Sequence, residues 1–151
     1  MPISILLVDD HILFRAGVRA LLEATTKIRI AGEAGDGLQA LALAERLHPD
    51  VVVLDYMMPG MSGLEVVRSL HTHQPETRIV MLSLHDEEFY VLNSILYGAS
   101  GYILKEDVSA HLALAVSAVT SGLFYFSPIL REWIVLSDLG HPTERVEFFD
   151  A

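Results

Sequence analysis

The amino-acid sequence predicts an α/β fold, a doubly wound five-stranded parallel sheet with helices on both faces, and three observations predict it. Five short apolar runs, at residues 3–9, 28–34, 51–55, 78–83 and 101–104, are each followed by a segment with helical spacing. The hydrophobic share is 52% and the mean hydropathy +0.41, as expected when strands are buried on both faces. Strict alternation of strand and helix then calls for one sheet with right-handed crossovers. At 151 residues the chain is long enough for one domain with a real core and too short for two ordinary ones.

The first strand, Ile3-Ser4-Ile5-Leu6-Leu7-Val8, runs into the adjacent acids Asp9 and Asp10. A helix opening near Asp10 or His11 turns Phe14, Val18, Leu21 and Leu22 inward. After the second strand and Gly35-Asp36-Gly37, the next helix buries Leu41, Ala44 and Leu47. The unbroken apolar run Val51-Val52-Val53-Leu54 ends in Asp55, ahead of the turn-rich stretch Tyr56-Met57-Met58-Pro59-Gly60-Met61-Ser62-Gly63. Ser62 and Glu65 form a capping box for a third helix, with Leu64, Val67 and Leu70 inward. The fourth strand ends in Ser83; a helix from Asp86 or Glu87 carries Val91, Leu92, Ile95 and Leu96 and stops at Gly98. Beyond the fifth strand and Lys105, Ser109 caps a helix that buries Leu112, Ala115, Val116 and Val119, with Gly122 as its stop. Ser127-Pro128, a cap followed by a favoured first-turn proline, then opens a short amphipathic helix bearing Ile129, Leu130, Trp133 and Ile134. The organisation read from this is one domain over residues 1–122 and a tail over 123–151.

Ten basic against twenty acidic residues give a net charge of -10. Such a surface repels phosphate backbones, so no nucleic acid is expected to bind this segment by itself. The uncharged stretch Val108–Leu130 has the length of a membrane span, but Ser109, Ser117, Ser121, Gly122, Ser127 and Pro128 interrupt it, and no membrane association is expected. No basic n-region precedes an apolar h-region, so the expected location is cytoplasmic. There is no cysteine, which removes disulfide and thiol chemistry.

In open parallel sheets function collects at the carboxyl ends of the strands, and there this chain places Asp9, Asp10, Asp55, Ser83 and Lys105. Two carboxylates about 4 Å apart repel by roughly 4 kcal/mol at an effective dielectric near 20. A cation is the reason to build such a cluster, and Mg2+, which favours a few carboxylates plus waters and phosphate oxygens, is the expected one. With a hydroxyl and an ammonium converging on it, the rim suits acceptance of a phosphoryl group by the ionised Asp55 carboxylate, forming an acyl phosphate. Asp10 and Asp55 would hold the metal with a loop carbonyl, that of Met57, and Asp9 directly or through water. Tyr102 points to the sheet face opposite its strand neighbours, either as an ordinary half-buried aromatic or as a rotamer switch. Met57, Met58 and Met61 read as loop and core filler, His71 and His73 as solvated, and His85 as the histidine near the site.

The residues Val8-Asp9-Asp10-His11, the segment from Leu54-Asp55 to Ser62-Gly63, Ser83, and Gly101-Tyr102-Ile103-Leu104-Lys105 resemble the flavodoxin-like, CheY-like receiver domain of two-component response regulators, over about residues 3 to 122. The resemblance implies the strand order 2-1-3-4-5. It implies Asp55 as phosphoacceptor, Asp9 and Asp10 as the acidic metal pair, Ser83 and Tyr102 as the switch pair and Lys105 as the lysine that meets the phosphoryl group. A sensor histidine kinase would be the phosphodonor, docking near the first helix, and the chain would catalyse only its own phosphorylation and dephosphorylation. Asp10-His11-Ile12-Leu13-Phe14-Arg15-Ala16-Gly17 and Gly98-Ala99-Ser100-Gly101-Tyr102 are most similar to the NarL/FixJ (LuxR-type) regulators, whose receivers precede a helix-turn-helix output domain that controls transcription. No such domain fits within 151 residues; Thr143-Glu144-Arg145-Val146-Glu147 resembles only its opening. The chain is then either a piece of a longer regulator or a receiver with an unusual tail.

Two departures from that family stand out. Glu106 follows Lys105 where many receivers have a cis proline, and Met57 and His85 occupy the positions that tune acyl-phosphate hydrolysis. Met57 cannot orient water, so slow self-dephosphorylation is expected. A homodimer is expected too, with leucines and Trp133 on the fifth and tail helices as candidates for its interface or for packing against an output domain. Of the alternatives, a haloacid dehalogenase-type enzyme wants a second acid where His11 stands, and a flavodoxin-like binder would find its phosphate repelled by Asp9 and Asp10. The serious rival is a receiver that works as a docking module without phosphorylation.

Overall fold

In a computed structural model, which describes residues 2–136 apart from the side chains of Glu132, Trp133, Val135 and Leu136, strands and helices alternate throughout. The order is β1 (Ile3–Val8), α1 (Ile12–Glu23), β2 (Ile28–Ala34), α2 (Gly37–Leu47), β3 (Val51–Asp55), α3 (Gly63–His73), β4 (Arg78–Ser83), α4 (Glu88–Tyr97), β5 (Gly101–Leu104), α5 (Val108–Thr120), β6 (Tyr125–Phe126) and α6 (Pro128–Leu136). The strands form one parallel sheet in the order β2-β1-β3-β4-β5-β6.

Period-two alternation within the strands sorts their side chains onto the two faces. Ile5, Leu7, Val51, Val53, Val80, Leu82 and Ile103 pack with α1 and α5 through Val18, Leu22, Leu112, Ala115, Val116 and Val119. Leu6, Val8, Val52, Leu54, Ile79, Met81 and Tyr102 pack on the opposite face with Ala40, Ala44, Val66, Val67, Leu70 and Val91 of α2, α3 and α4, and with Leu130 and Ile134 of α6. The central strands β3 and β4 are fully buried but for Arg78, which explains their unbroken apolar sequence.

The caps follow local chemistry. Asp36 accepts from the Gln39 N–H at 2.8 Å and Ser62 from the Glu65 N–H at 3.3 Å, each satisfying an orphan first-turn donor. Gly98 ends α4 at φ 123°, with the His71 ring only 2.5 Å from where a Cβ would stand.

Several expectations need correction. The sheet has six strands, not five, because the two residues of β6 are too few to show periodicity. Ser109 lies inside α5, which is entered through a 3-10 turn at Lys105–Asp107. Leu96 is 61% exposed, its inward place taken by Ser94, whose hydroxyl donates to the Tyr90 carbonyl at 2.8 Å. Leu112 of α5 and Leu130 of α6 are buried in the chain's own core, so neither is offered to a second copy, whereas Ile129 of α6 is exposed, as are Ile12 and Leu13 of α1, Leu38 of α2 and Phe89, Leu96 and Tyr97 of α4. Trp133's side chain and residues 143–147 fall outside the described parts. Among the described residues there is no cis peptide, so Lys105–Glu106 is trans, and no helix is long and apolar enough to cross a membrane.

Gly63 packs its backbone against the strand that carries Asp55: a Cβ there would stand 2.4 Å from the Asp55 carbonyl oxygen and 2.8 Å from Tyr56 Cα. Backbone on both sides leaves little room for adjustment. Gly63→Ala is expected to lower the free energy of unfolding by about 1–3 kcal/mol, read from urea denaturation; an unchanged midpoint would show that the loop yields freely.

Candidate functional site

The sheet register builds the site. Val8 pairs with Leu54, so the next residue on each strand, Asp9 and Asp55, leaves the same rim side by side. Asp55 pairs with Leu82 and Ser83 with Leu104, which brings Ser83 and Lys105 to that rim one strand and two strands away.

The Lys105 ammonium sits between the acids, 3.2 Å from Asp55 Oδ1 and 3.5 Å from Asp9 Oδ2. Its approach passes over the Phe14 ring, 4.6 Å from the centroid, an arrangement that favours a cation. Asp9 and Asp55 are 1% and 2% exposed, while Asp10 is half-buried. One oxygen of each acid, Asp9 Oδ2, Asp10 Oδ1 and Asp55 Oδ2, is buried without a hydrogen-bond partner among the described residues. Buried carboxylate oxygens are expected to be paired or to hold a metal, and these acids with His11 present ligand atoms all within 4.8 Å of one another. The donor set fits a divalent cation.

Burial pushes the Asp55 carboxyl up to about 6 from its ordinary 3.8, reinforced by the neighbouring Asp9 charge and opposed by Lys105. A buried carboxylate beside a second acid resists ionisation unless positive charge is supplied.

The remaining predicted residues form a second group beside the first. Ser83 is 1% exposed, and its hydroxyl accepts from the His85 N–H at 3.0 Å. The fully buried Tyr102 donates its hydroxyl to the His85 carbonyl at 2.7 Å, and burial raises its pKa. The His85 ring stacks on Tyr90 at 4.3 Å and its Nδ1 lies 3.5 Å from Glu87 Oε2. Met57 stands apart, with its side chain 55% exposed.

Sequence reasoning missed three contributors. His11 places Nδ1 3.6 Å from Asp9 Oδ1 and from Asp10 Oδ1, so His85 is not the sole histidine near the site; adjacency to Asp10 was the available signal. Arg15 donates to the Asp9 carbonyl at 2.5 Å and to Glu33 at 2.9 Å, tying the acidic turn to β2; its spacing along α1 carries no such signal. Tyr56 stacks edge-on with both Tyr90 and Tyr102, at 5.3 and 6.4 Å between centroids.

Comparison with known proteins gives a consistent result. A family profile described as the response regulator receiver domain matches residues 5–117. The transcriptional regulatory protein DegU of Brevibacillus brevis is 39% identical over 126 residues, covering 83% of this chain and 53% of DegU. The nitrate/nitrite response regulator NarL of Escherichia coli K12 is 39% identical over 136 residues, covering 90% of this chain and 63% of NarL. This chain therefore spans about half to two thirds of the length of these relatives. Among solved structures, a LuxR-family two-component response regulator from Aurantimonas aligns with a TM-score of 0.86 at 32% identity, covering 92% of this chain and 99% of that one. The NarL receiver domain from Mycobacterium tuberculosis aligns with a TM-score of 0.77 at 36% identity, covering 80% and 98%.

The Asp55 shift sets a pH dependence for the metal-free protein. The folded value of about 6 lies above the ordinary 3.8, so between them the native state holds a proton that the unfolded chain has lost. This group's contribution to stability is therefore full below the lower value and is lost as pH rises through the upper one. Asp55→Asn removes the penalty and is expected to unfold about 1–3 kcal/mol later at pH 7 without divalent cations, with the advantage fading under acid; a variant no more stable than its parent by urea titration at pH 7 contradicts this.

Proposed function

We propose, from the premise that this chain belongs to the response regulator receiver domain family, in its NarL/LuxR-type branch, that Asp55 is the phosphoacceptor of a two-component phosphorelay. The observation that carries the reading is the Lys105 ammonium bridging Asp55 and Asp9 in a cluster where three buried carboxylate oxygens have no hydrogen-bond partner among the described residues. An Asp55 oxygen attacks the phosphorus of a phosphohistidine on a sensor histidine kinase. The P–O bond forms and the P–N bond breaks, and the imidazole nitrogen leaves with the bonding pair and takes a proton from solvent. Asp9, Asp10 and Asp55, with the Met57 carbonyl, would hold Mg2+, which supplies positive charge to the phosphoryl oxygens. Lys105 adds its own, turning from Asp55 to the transferred group.

The same geometry supports a switch. The acquired group carries about -1.5 to -2 charge and attracts the Ser83 hydroxyl as a donor. The same oxygen accepts from the His85 N–H, so a Ser83 side chain that rotates toward the phosphoryl group draws on the loop whose His85 carbonyl anchors Tyr102. Loop and aromatic therefore move together, reshaping the α4 and β5 surface.

Output is transcriptional control through a DNA-binding domain outside this segment, as the regulatory names of the longer relatives suggest. The phosphoacceptor unit is residues 1–122, with 123–151 leading toward the output domain, and the protein works in the cytoplasm as a homodimer when modified. Its catalysis is confined to its own phosphorylation and dephosphorylation.

Incubation with a small phosphodonor and Mg2+ is expected to add one phosphoryl group by intact mass, with none gained by Asp55→Asn or after chelation. Absence of the gain in the parent would leave a docking module without phosphorylation. Met57, apolar and exposed, cannot orient water toward the acyl phosphate. Its lifetime is expected to reach minutes, and decay within seconds in Mg2+ would contradict that.

A further inference from the structure

We propose that Ser127 is a positioning residue for Lys105: its buried hydroxyl holds the Leu104 N–H and so fixes where the ammonium stands between Asp55 and Asp9. The inference rests on the reading of Asp55 as phosphoacceptor.

In the parallel β5–β6 ladder the Tyr125 N–H donates to the Ser100 carbonyl at 3.1 Å and the Ser127 N–H to the Tyr102 carbonyl at 3.1 Å. Continued by one step, the ladder would pair the Leu104 N–H with the Ser127 carbonyl. That carbonyl has already turned into the first turn of α6, where it accepts from the Leu130 N–H at 2.9 Å. The Ser127 Oγ takes its place and accepts from the Leu104 N–H at 2.8 Å. Ser127 is 0% exposed and Leu104 3%, so water is no substitute, and a buried N–H without a partner is strongly disfavoured.

This bond holds the final residue of β5, directly before the Lys105–Asp107 turn. Lys105 is attached directly to the pinned residue, and its side chain must span from there to two acids at 3.2 and 3.5 Å. Ser127 is itself well held: Arg131 Nε donates at 2.8 Å to the carbonyl of the preceding residue, Phe126, and Leu130 of the following turn is buried. Alanine offers no acceptor there, whereas threonine keeps one. The tail thus meets the residue before Lys105 through the Ser127 hydroxyl.

The test uses the 151-residue chain and its two lysines, Lys105 and the exposed Lys27. Phosphorylation by phosphoramidate with Mg2+ is timed by intact mass, and an amine-reactive ester reads the Lys105-to-Lys27 labelling ratio without metal. Ser127→Ala is expected to slow phosphorylation roughly tenfold, the kind of loss a displaced reacting group produces, and to raise the labelling ratio severalfold. Ser127→Thr restores both. Leu130→Ala, which loosens α6 without touching the Leu104 N–H, lowers thermal stability and leaves the ratio alone. A parent-like ratio in Ser127→Ala, or a Leu130→Ala variant that reproduces its ratio, overturns the proposal. If Ser127→Ala fails to fold, Ser127→Cys, with its weak acceptor of similar size, is read by the same criterion. If the parent takes up no phosphoryl group the Asp55 reading fails by itself, and the ratio still decides the role of Ser127.

Discussion

One ammonium among three carboxylates is the constraint around which this molecule is arranged. Asp9 and Asp55 are removed from water at adjoining strand ends, and Lys105 is the nearest fixed positive charge. One cation against three acids leaves the nook negative even so, and burial first, with the Asp9 charge behind it, keeps the Asp55 proton on to about pH 6. An apolar replacement would be more comfortable for folding. A site kept short of positive charge is, by the same measure, one that gains most when a cation or a transferable group with its own counter-ion arrives.

Holding that arrangement takes more of the fold than the four residues suggest. Arg15 fastens the Asp9 carbonyl and ties it to Glu33 on β2. Gly63 lets the loop after Asp55 close against its own strand. β6 pairs with β5, and Ser127 finishes the ladder at the residue before Lys105. Each is a contact to the backbone made by a residue with no part in the chemistry, and together they hold the strand ends that carry the charges.

The sequence revealed the site better than its supports, for a physical reason. Asp9, Asp10, Asp55, Ser83 and Lys105 each terminate an apolar run, and a polar residue at the end of a buried strand is visible in one dimension. Strand limits were equally plain, because residues buried on both faces leave unbroken stretches such as Val51-Val52-Val53-Leu54. What stayed hidden depends on pairing across distance. The two residues of β6 have no period to detect, and Leu96 and Ser94 exchange roles because a hydroxyl can return its bond to the preceding turn. Ser127 looked like an ordinary helix cap beside Pro128, whereas its hydroxyl reaches Leu104, 23 residues back.

With Asp55 as the proposed phosphoacceptor, these couplings would carry a change confined to one carboxylate to the surface. Tyr102 touches both halves of the system: its hydroxyl is anchored by the loop that starts at Ser83, while its backbone carbonyl receives the Ser127 N–H. A side chain that leaves its buried position alters packing against Tyr56 and, through the ladder, the strand on which α6 is mounted. Because such a core is closely packed, it repacks between discrete arrangements rather than deforming smoothly. Two routes then leave the site, one through the loop to α4 and one through β6 to α6. The second runs along β6 toward α6, through the backbone hydrogen bonds of the β5–β6 ladder and the Ser127 hydroxyl that completes it.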